Sequence, residues 1–313
     1  MSTRHDTALD HRARLQRVLH ELQRAIASPD GGAEEDLSNA ALARVALMSR
    51  FHFSRVFRAM VGETTRAHIR RLRLERAATE LARTDEQIVR IALRCGYNAH
   101  EPFTRAFAAH FGVSPTEYRN QSARGGTRPA WPPSPSGVHY GPGDAVERFV
   151  PVVRENPMLN VEIKHVPAKR VAAVEHIGEY KNIGQAFAKL VAFAGPRGLL
   201  GPGTECLGVF LDDPQSTPPE QTRALACVSA PPGFAGDDDA GVRAEEIPEG
   251  EFAVAVFKGP YERLDEAYGW LCGRWLAESG RELADRPPFE VYLNNPMDTK
   301  PEDLLTEIHM PLG

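Results

Sequence analysis

Two pairs of segments recur within the chain, and they constrain its fold more tightly than composition does. FSRVFRAMVG (53–62) returns as FTRAFAAHFG (103–112), so Phe53, Arg55, Phe57 and Gly62 reappear as Phe103, Arg105, Phe107 and Gly112. The preceding Leu42-Ala43 returns as Ile91-Ala92, with one residue inserted before the second motif. Phe53, Val56, Phe57 and Met60 stand at i, i+3, i+4 and i+7, one apolar face of a helix. The opposite face then carries Phe51, Ser54, Arg55 and Arg58. A second duplication follows downstream. HIGEY (176–180) matches FKGPY (257–261), VFLDDP (209–214) matches VYLNNP (291–296), and Pro219-Glu220 keeps the register of Pro301-Glu302.

The two duplications belong to different fold classes. Upstream, Leu15, Val18, Leu19 and Leu22 form an apolar stripe, and residues 66–82 carry a long helical pattern free of Gly and Pro. Downstream, VEIKHV (161–166), FAVAVF (252–257) and FEVYL (289–293) read as strands, interleaved with helical stretches at 182–194 and 262–277. Between them, SARGGTRPAWPPSPSGVHYGPG (122–143) is dense in Pro, Gly and Ser and reads as an extended linker. The expected plan is an all-α double helix-turn-helix domain over 1–120 and a linker over 121–157. An α+β domain of two pseudosymmetric strand–helix–strand–strand repeats follows over 158–313.

Charge divides the same way. Residues 1–119 hold 19 Arg, no Lys and 14 Asp or Glu, a balance of +5. The remainder of the 313-residue chain holds 18 Lys or Arg against 28 acidic residues, a balance of −10. A basic half joined to an acidic one fits a nucleic-acid-binding module attached to something else. The N-terminus has no apolar core of a secretory signal, and no run of 18 apolar residues occurs, so a cytoplasmic protein without a membrane partner is expected. Cys95, Cys206, Cys227 and Cys272 are scattered, with neither a CxxC pair nor clustered His, which argues for a reducing compartment and against a zinc site. No cofactor is expected.

Each N-terminal repeat reads as a short helix, a tight turn and a second helix. In the second copy, Cys95-Gly96-Tyr97 makes the turn, with Asn98 expected as helix cap and Glu101 at the third helical position. Ser114-Pro115-Thr116-Glu117 opens a further helix in the same way. Such a unit places its second helix in a major groove, and two units on one duplex dock roughly 34 Å apart. The helix over 66–82 would span about 25 Å between them.

The stretches LSNAALARVALMSRFHFSRVFRAMVGETTRAHI and IVRIALRCGYNAHEPFTRAFAAHFGVSPTEYR resemble the DNA-binding domain of the AraC/XylS family of transcription regulators. The first unit departs from the family pattern at Leu47, where Gly is usual, a change expected to alter the angle between its helices. The resemblance implies that Arg50, Phe51, Ser54 and Arg55 face double-stranded DNA in the first unit. In the second it implies Asn98, His100, Glu101, Thr104 and Arg105, and it implies RNA polymerase as a further partner. Arg is suited to guanine, and Ser, Thr and Asn to phosphate or adenine. Glu101 suits either cytosine or a helix cap.

Residues 158–313, through FKGPYERLDEAYGWL, PPFEVYLNNP and LLTEIHMPL, resemble the GyrI-like effector-binding domain. That resemblance implies a small-molecule effector, cationic or aromatic, bound in a cleft. The repeat points to one residue in particular: Glu290 stands where the first copy has Gly208, and alternation puts it on one strand face with Tyr292. A carboxylate among apolar neighbours needs a partner. The plain alternative is a carboxylate paired with a nearby Arg or exposed at a strand end. Expected aromatic walls are Tyr180, Phe210, Tyr261, Tyr268, Trp270 and Trp275, with Glu307 as a second carboxylate. No nucleophile–base pair, phosphate loop or metal spacing is evident, and His165, His176 and His309 read as structural. The reading is a ligand-responsive transcription regulator rather than an enzyme. The alternatives are a small-molecule hydrolase with Glu290 as general base, or a protein-docking module.

Overall fold

The computed structural model describes residues 3–29, 31–32, 36–123, 130–141, 146–147, 149–214 and 217–313. Helices fill the N-terminal part and strands dominate the C-terminal part. The chain divides into two compact units. One comprises Ala8–Leu47 and Phe57–Val153; the other comprises Arg154–Gly313 with Met48–Val56 and the start of the first helix.

The helices run α1 (Thr3–Ala27), α2 (Asn39–Ala46), α3 (Phe53–Val61), α4 (Thr65–Arg83), α5 (Ile88–Arg94), α6 (His100–Phe111) and α7 (Pro115–Ala123). Apolar periodicity fixes their buried faces. Leu15, Val18, Leu19 and Leu22 of α1 are fully buried, as are Phe53 and Phe57 of α3. Phe103, Phe107, Phe111 and Tyr118 close a second cluster over Leu74, Leu81, Ile91 and Cys95. Caps mark several ends. Ser38 and Thr64 accept from the backbone N–H of Ala41 and Ala67, and Ser114 accepts from Glu117 N. The cap expected at Asn98 is corrected: α6 starts one residue later than supposed, with Ala99 at the cap position and no side-chain cap hydrogen bond. Glu101 is then the second helical residue, out of reach of the reciprocal capping geometry.

The tight turns differ between the two units. Gly96 turns at φ +76° in the second, while its counterpart Leu47 turns at φ +53° in the first. A left-handed backbone strains any residue with a Cβ, and the Leu47 side chain is 71% exposed, so packing returns little.

The linker expected over 121–157 is, where described, largely built into the N-terminal unit; 124–129, 142–145 and 148 lie outside the described residues. Ser136, Val138 and Phe149 are buried. The cause is electrostatic. Glu75 and Arg71 sit on the inner face of α4, and charges taken out of water need partners. Arg71 reaches Glu63 (2.5 Å), Glu75 (3.0 Å) and the Val138 carbonyl (2.9 Å). Glu75 accepts the backbone N–H of Tyr140 at 2.7 Å and meets His139 Nδ1 at 2.9 Å. A Pro-rich segment has backbone groups to spare for this role, since it makes no ladder of its own.

Among the described residues the C-terminal unit forms one nine-stranded antiparallel sheet, ordered β1-β7-β9-β8-β3-β4-β2-β6-β5. The strands are β1 (Val161–Val166), β2 (Lys169–Ile177), β3 (Cys206–Phe210), β4 (Arg223–Ser229), β5 (Gly236–Asp237), β6 (Val242–Ile247), β7 (Gly250–Lys258), β8 (Phe289–Tyr292) and β9 (Leu305–Pro311). Helix α8 (Gly184–Ala194) covers one face through Ala186, Leu190 and Phe193 against Ala172, Val174, Ala226 and Val228. The other face gathers Val171, Leu207, Val209, Phe252, Phe289 and Val291. Helix α9 (Leu264–Trp270) continues through a π-helical turn (Leu271–Trp275) into α10 (Leu276–Ser279). At the centre of the sheet β3 and β8 pair with Gly208 opposite Glu290.

Leu47→Gly is expected to stabilise the protein by about 0.5–1 kcal/mol, relief of the left-handed strain being partly offset by glycine's unfolded-state entropy. Thermal melting checks this, and a lower melting temperature would show that Leu47 makes an unrecognised contact.

Candidate functional site

Strand alternation sends Glu290 and Tyr292 to the same sheet face, where the facing strand offers only the hydrogen of Gly208. A Cβ at Gly208 would come within 2.6 Å of Tyr292 Oη and 3.0 Å of the Phe210 ring. Glycine therefore makes the room that the tyrosine hydroxyl uses. Glu290 is only 3% exposed, and its oxygens accept from Tyr268 Oη (3.0 Å) and Tyr292 Oη (3.2 Å). Tyr268 comes from α9. Its neighbour Tyr261 lies edge-on to Tyr292 at 5.4 Å between centroids, and Phe187 of α8 lies edge-on at 5.7 Å. The three tyrosines are half-buried, so a sunken carboxylate lies beneath an aromatic rim.

Burial pushes the Glu290 carboxyl up to about 7, against the opposing pull of the two tyrosine hydrogen bonds and the charge of Arg55. Burial, reinforced by the Glu290 charge, holds both Tyr268 and Tyr292 well above the ordinary phenol range. The phenols thus stay protonated donors, and Glu290 changes charge near neutrality.

The other expected walls separate from this group. Tyr180 and Phe210 meet edge-on at 4.9 Å, but the Tyr180 hydroxyl is engaged with the Asp212 and Arg223 carbonyls. Trp270 is buried, and its indole N–H has no hydrogen-bond partner among the described residues; Trp275 is half-buried. Glu307 requires correction as a second carboxylate of this site. It pairs opposite Val291, whose side chain joins the core on the far face of the sheet, and it bonds His309 Nε2 at 2.7 Å. Period-two alternation puts it across the sheet from Glu290.

The exposed DNA face expected on α3 is also corrected. Arg50 is exposed and Phe51 half-buried, but Ser54 and Arg55 are 7% and 5% exposed. Met48–Val56 folds with the C-terminal unit. Arg55 donates to the Phe51 carbonyl (2.7 Å) and the Asp212 carbonyl (2.9 Å), and its guanidinium lies 5.6 Å from the Tyr268 ring centroid. His52 Nε2 meets the Arg286 carbonyl at 2.9 Å, and Ser49 donates to Asp285 at 2.7 Å. Helical periodicity identified the amphipathic helix but could not foresee burial of its polar face by residues more than 150 positions away. In the second unit Asn98, His100, Glu101 and Arg105 are exposed and Thr104 half-buried. Among the described residues no group of three or more His, Cys, Asp or Glu could hold a metal ion, and no helix is long and apolar enough to cross a membrane.

Residues 159–312 match the family described as the GyrI-like small molecule binding domain, and residues 42–121 match a helix-turn-helix domain. The chain is 42% identical over 82 residues to the HTH-type transcriptional regulator Rv1931c of Mycobacterium tuberculosis, covering 26% of this chain and 32% of that one. It is 36% identical over 90 residues to the HTH-type transcriptional activator AarP of Providencia stuartii, covering 29% and 67%. Its C-terminal part is 29% identical over 139 residues to the DNA gyrase inhibitor of Escherichia coli, covering 44% and 87%. The chain spans about a third of the length of the regulators that head these similarities.

The sign of the Glu290 effect sets a pH test. A carboxyl raised from 4.5 to about 7 contributes stability that is full below pH 4.5 and lost as pH rises through 7. Urea unfolding across that window is expected to show a loss on the order of 3 kcal/mol in the wild type that Glu290→Gln lacks. Parallel profiles would place Glu290 in a wetter setting.

Proposed function

The chain belongs to the AraC-type helix-turn-helix transcription regulators and carries a GyrI-like domain; on that footing we propose that it regulates transcription in response to an organic cation. Its N-terminal unit binds duplex DNA through α6, and its C-terminal unit receives the effector over Glu290. The observation that carries the effector class is the buried carboxylate under Tyr261, Tyr268 and Tyr292. A cation there gains charge pairing at Glu290 and the electron-rich faces of the rim. Among the described residues no acid–base group hydrogen-bonds Glu290 apart from the two phenols, which favours a binding role over general-base hydrolysis.

The placement of the site rests on reading the C-terminal unit as a duplication. In that reading strands at 161–166, 169–177, 206–210 and 223–229 pair off with those at 242–247, 250–258, 289–292 and 305–311. The order β1-β7-β9-β8 followed by β3-β4-β2-β6 supports this reading, since it reads the same from both ends under that pairing. In this reading Gly208 and Glu290 are equivalent residues facing one another, and Glu290 is where the symmetry is broken.

On the DNA side, α6 presents Asn98, His100, Glu101 and Arg105 to solvent, which suits entry of its N-terminal residues into a major groove. Location in the cytoplasm, and RNA polymerase as the partner through which transcription responds, complete the proposal.

The full chain is expected to bind duplex DNA with a log–log salt slope near −5, for about six phosphates neutralised; a slope near zero would remove the DNA reading. For the effector, calorimetric titration of benzyltributylammonium against a neutral benzyl compound separates charge from bulk. Glu290→Gln is expected to weaken the cation by about 1–3 kcal/mol and to spare the neutral compound. Equal losses for both would make Glu290 structural.

A further inference from the structure

The repeated helix-turn-helix unit offers an internal control. Ser54 and Arg55 of the first copy correspond to Thr104 and Arg105 of the second, yet Arg105 is exposed and Arg55 is 5% exposed. The helix-turn-helix architecture itself therefore does not require this arginine to be buried. What buries it is the unit formed by Met48–Val56 and Arg154–Gly313.

Three polar contacts fasten Met48–Val56 there, and they recur every third residue: Ser49 to Asp285, His52 to the Arg286 carbonyl, and Arg55 to the Asp212 carbonyl. Burial and the Arg55 charge hold His52 down to about 3, so it stays neutral and donates from Nε2. Of the three, only Arg55 brings a charge to the effector site. Its guanidinium stands over Tyr268, the residue that hydrogen-bonds Glu290, and its charge favours the ionised carboxylate. The Asp212 carbonyl it uses also accepts from Tyr180, so Arg55 links the two aromatic groups of the domain.

We propose that Arg55 is an internal competitor of the effector: it fills the cation position beside Tyr268 and Glu290, and an organic cation entering there displaces it and releases the start of α3. The proposal rests on the effector reading given above. Two cations in one water-poor site repel, and both draw on the same ring face and carboxylate, so occupancy is exclusive. A ligand that binds the released state alone shifts the chain toward it, and the released state alone presents Arg55 to DNA. By reciprocity, whatever engages Arg55 elsewhere raises affinity for the cation.

The test uses the full chain with benzyltributylammonium as probe and a neutral benzyl compound as control. Arg55→Ala is expected to bind the cation about tenfold more tightly, because the docked population that excludes it is gone, and to tighten the neutral compound far less, since only the cation also escapes charge repulsion. Asp285→Ala, which loosens the same segment and leaves Arg55 in place, is expected to tighten cation binding about threefold. Hydrogen exchange of the amides over 52–58 is expected to quicken about fivefold or more when the wild type is saturated. If the wild type binds the cation but Arg55→Ala binds it equally or less well, and exchange over 52–58 does not change, the competition is refuted while the effector site stands. If neither wild type nor Arg55→Ala binds the cation, the effector reading fails and this inference falls with it. Should Arg55→Ala not fold, Asp285→Ala and the exchange measurement decide.

Discussion

A carboxylate buried in the middle of a β-sheet is costly, and the arrangement around Glu290 is organised by that cost. The strand opposite provides a glycine instead of a side chain, and two phenols converge on the oxygens from β8 and α9. Each partner lowers the penalty without removing it, since hydrogen bonds from neutral groups stabilise a charge less than an ion pair does. The result is a carboxyl that titrates near neutrality, with stability given up for a centre of negative potential. Replacing Gly208 by any larger residue would drive the Tyr292 hydroxyl away. The glycine is thus as much a part of this arrangement as the acid.

The N-terminal unit meets a similar problem differently. Arg71 and Glu75 are buried on α4 with opposite charges, and they draw in Glu63, His139 and the backbone at Val138 and Tyr140. That network turns a segment with linker composition into part of the unit. Breaking one partner would strand the others in low dielectric, so the network holds or fails together.

The duplicated helix-turn-helix units show how one local pattern serves two environments. Gly96 makes its turn freely, whereas Leu47 makes the equivalent turn under strain. Arg105 meets solvent, whereas Arg55 is enclosed among carbonyls and an aromatic ring. The asymmetry is confined to the copy whose second helix begins within the C-terminal unit.

Periodicity alone determined the amphipathic helices of the N-terminal half with their buried faces, and the existence of the strands at 161–166, 252–257 and 289–292, because such spacing is a local property. Comparison of the matching segments VFLDDP and VYLNNP drew attention to Glu290, and strand alternation put it on one face with Tyr292, whose hydroxyl donates to it. Tertiary structure decided the rest. Glu307 fell on the opposite face because its strand register against β8 is set by long-range pairing that no local pattern encodes. Tyr268 became the second hydrogen-bond donor to Glu290 because a helix 22 residues away in sequence lies over the strand. The burial of Arg55, the folding of the Pro-rich segment and the strain at Leu47 likewise arise from contacts or torsions that exist only in the folded chain. Sequence reports which side chains can share a face; only the folded chain decides what that face meets.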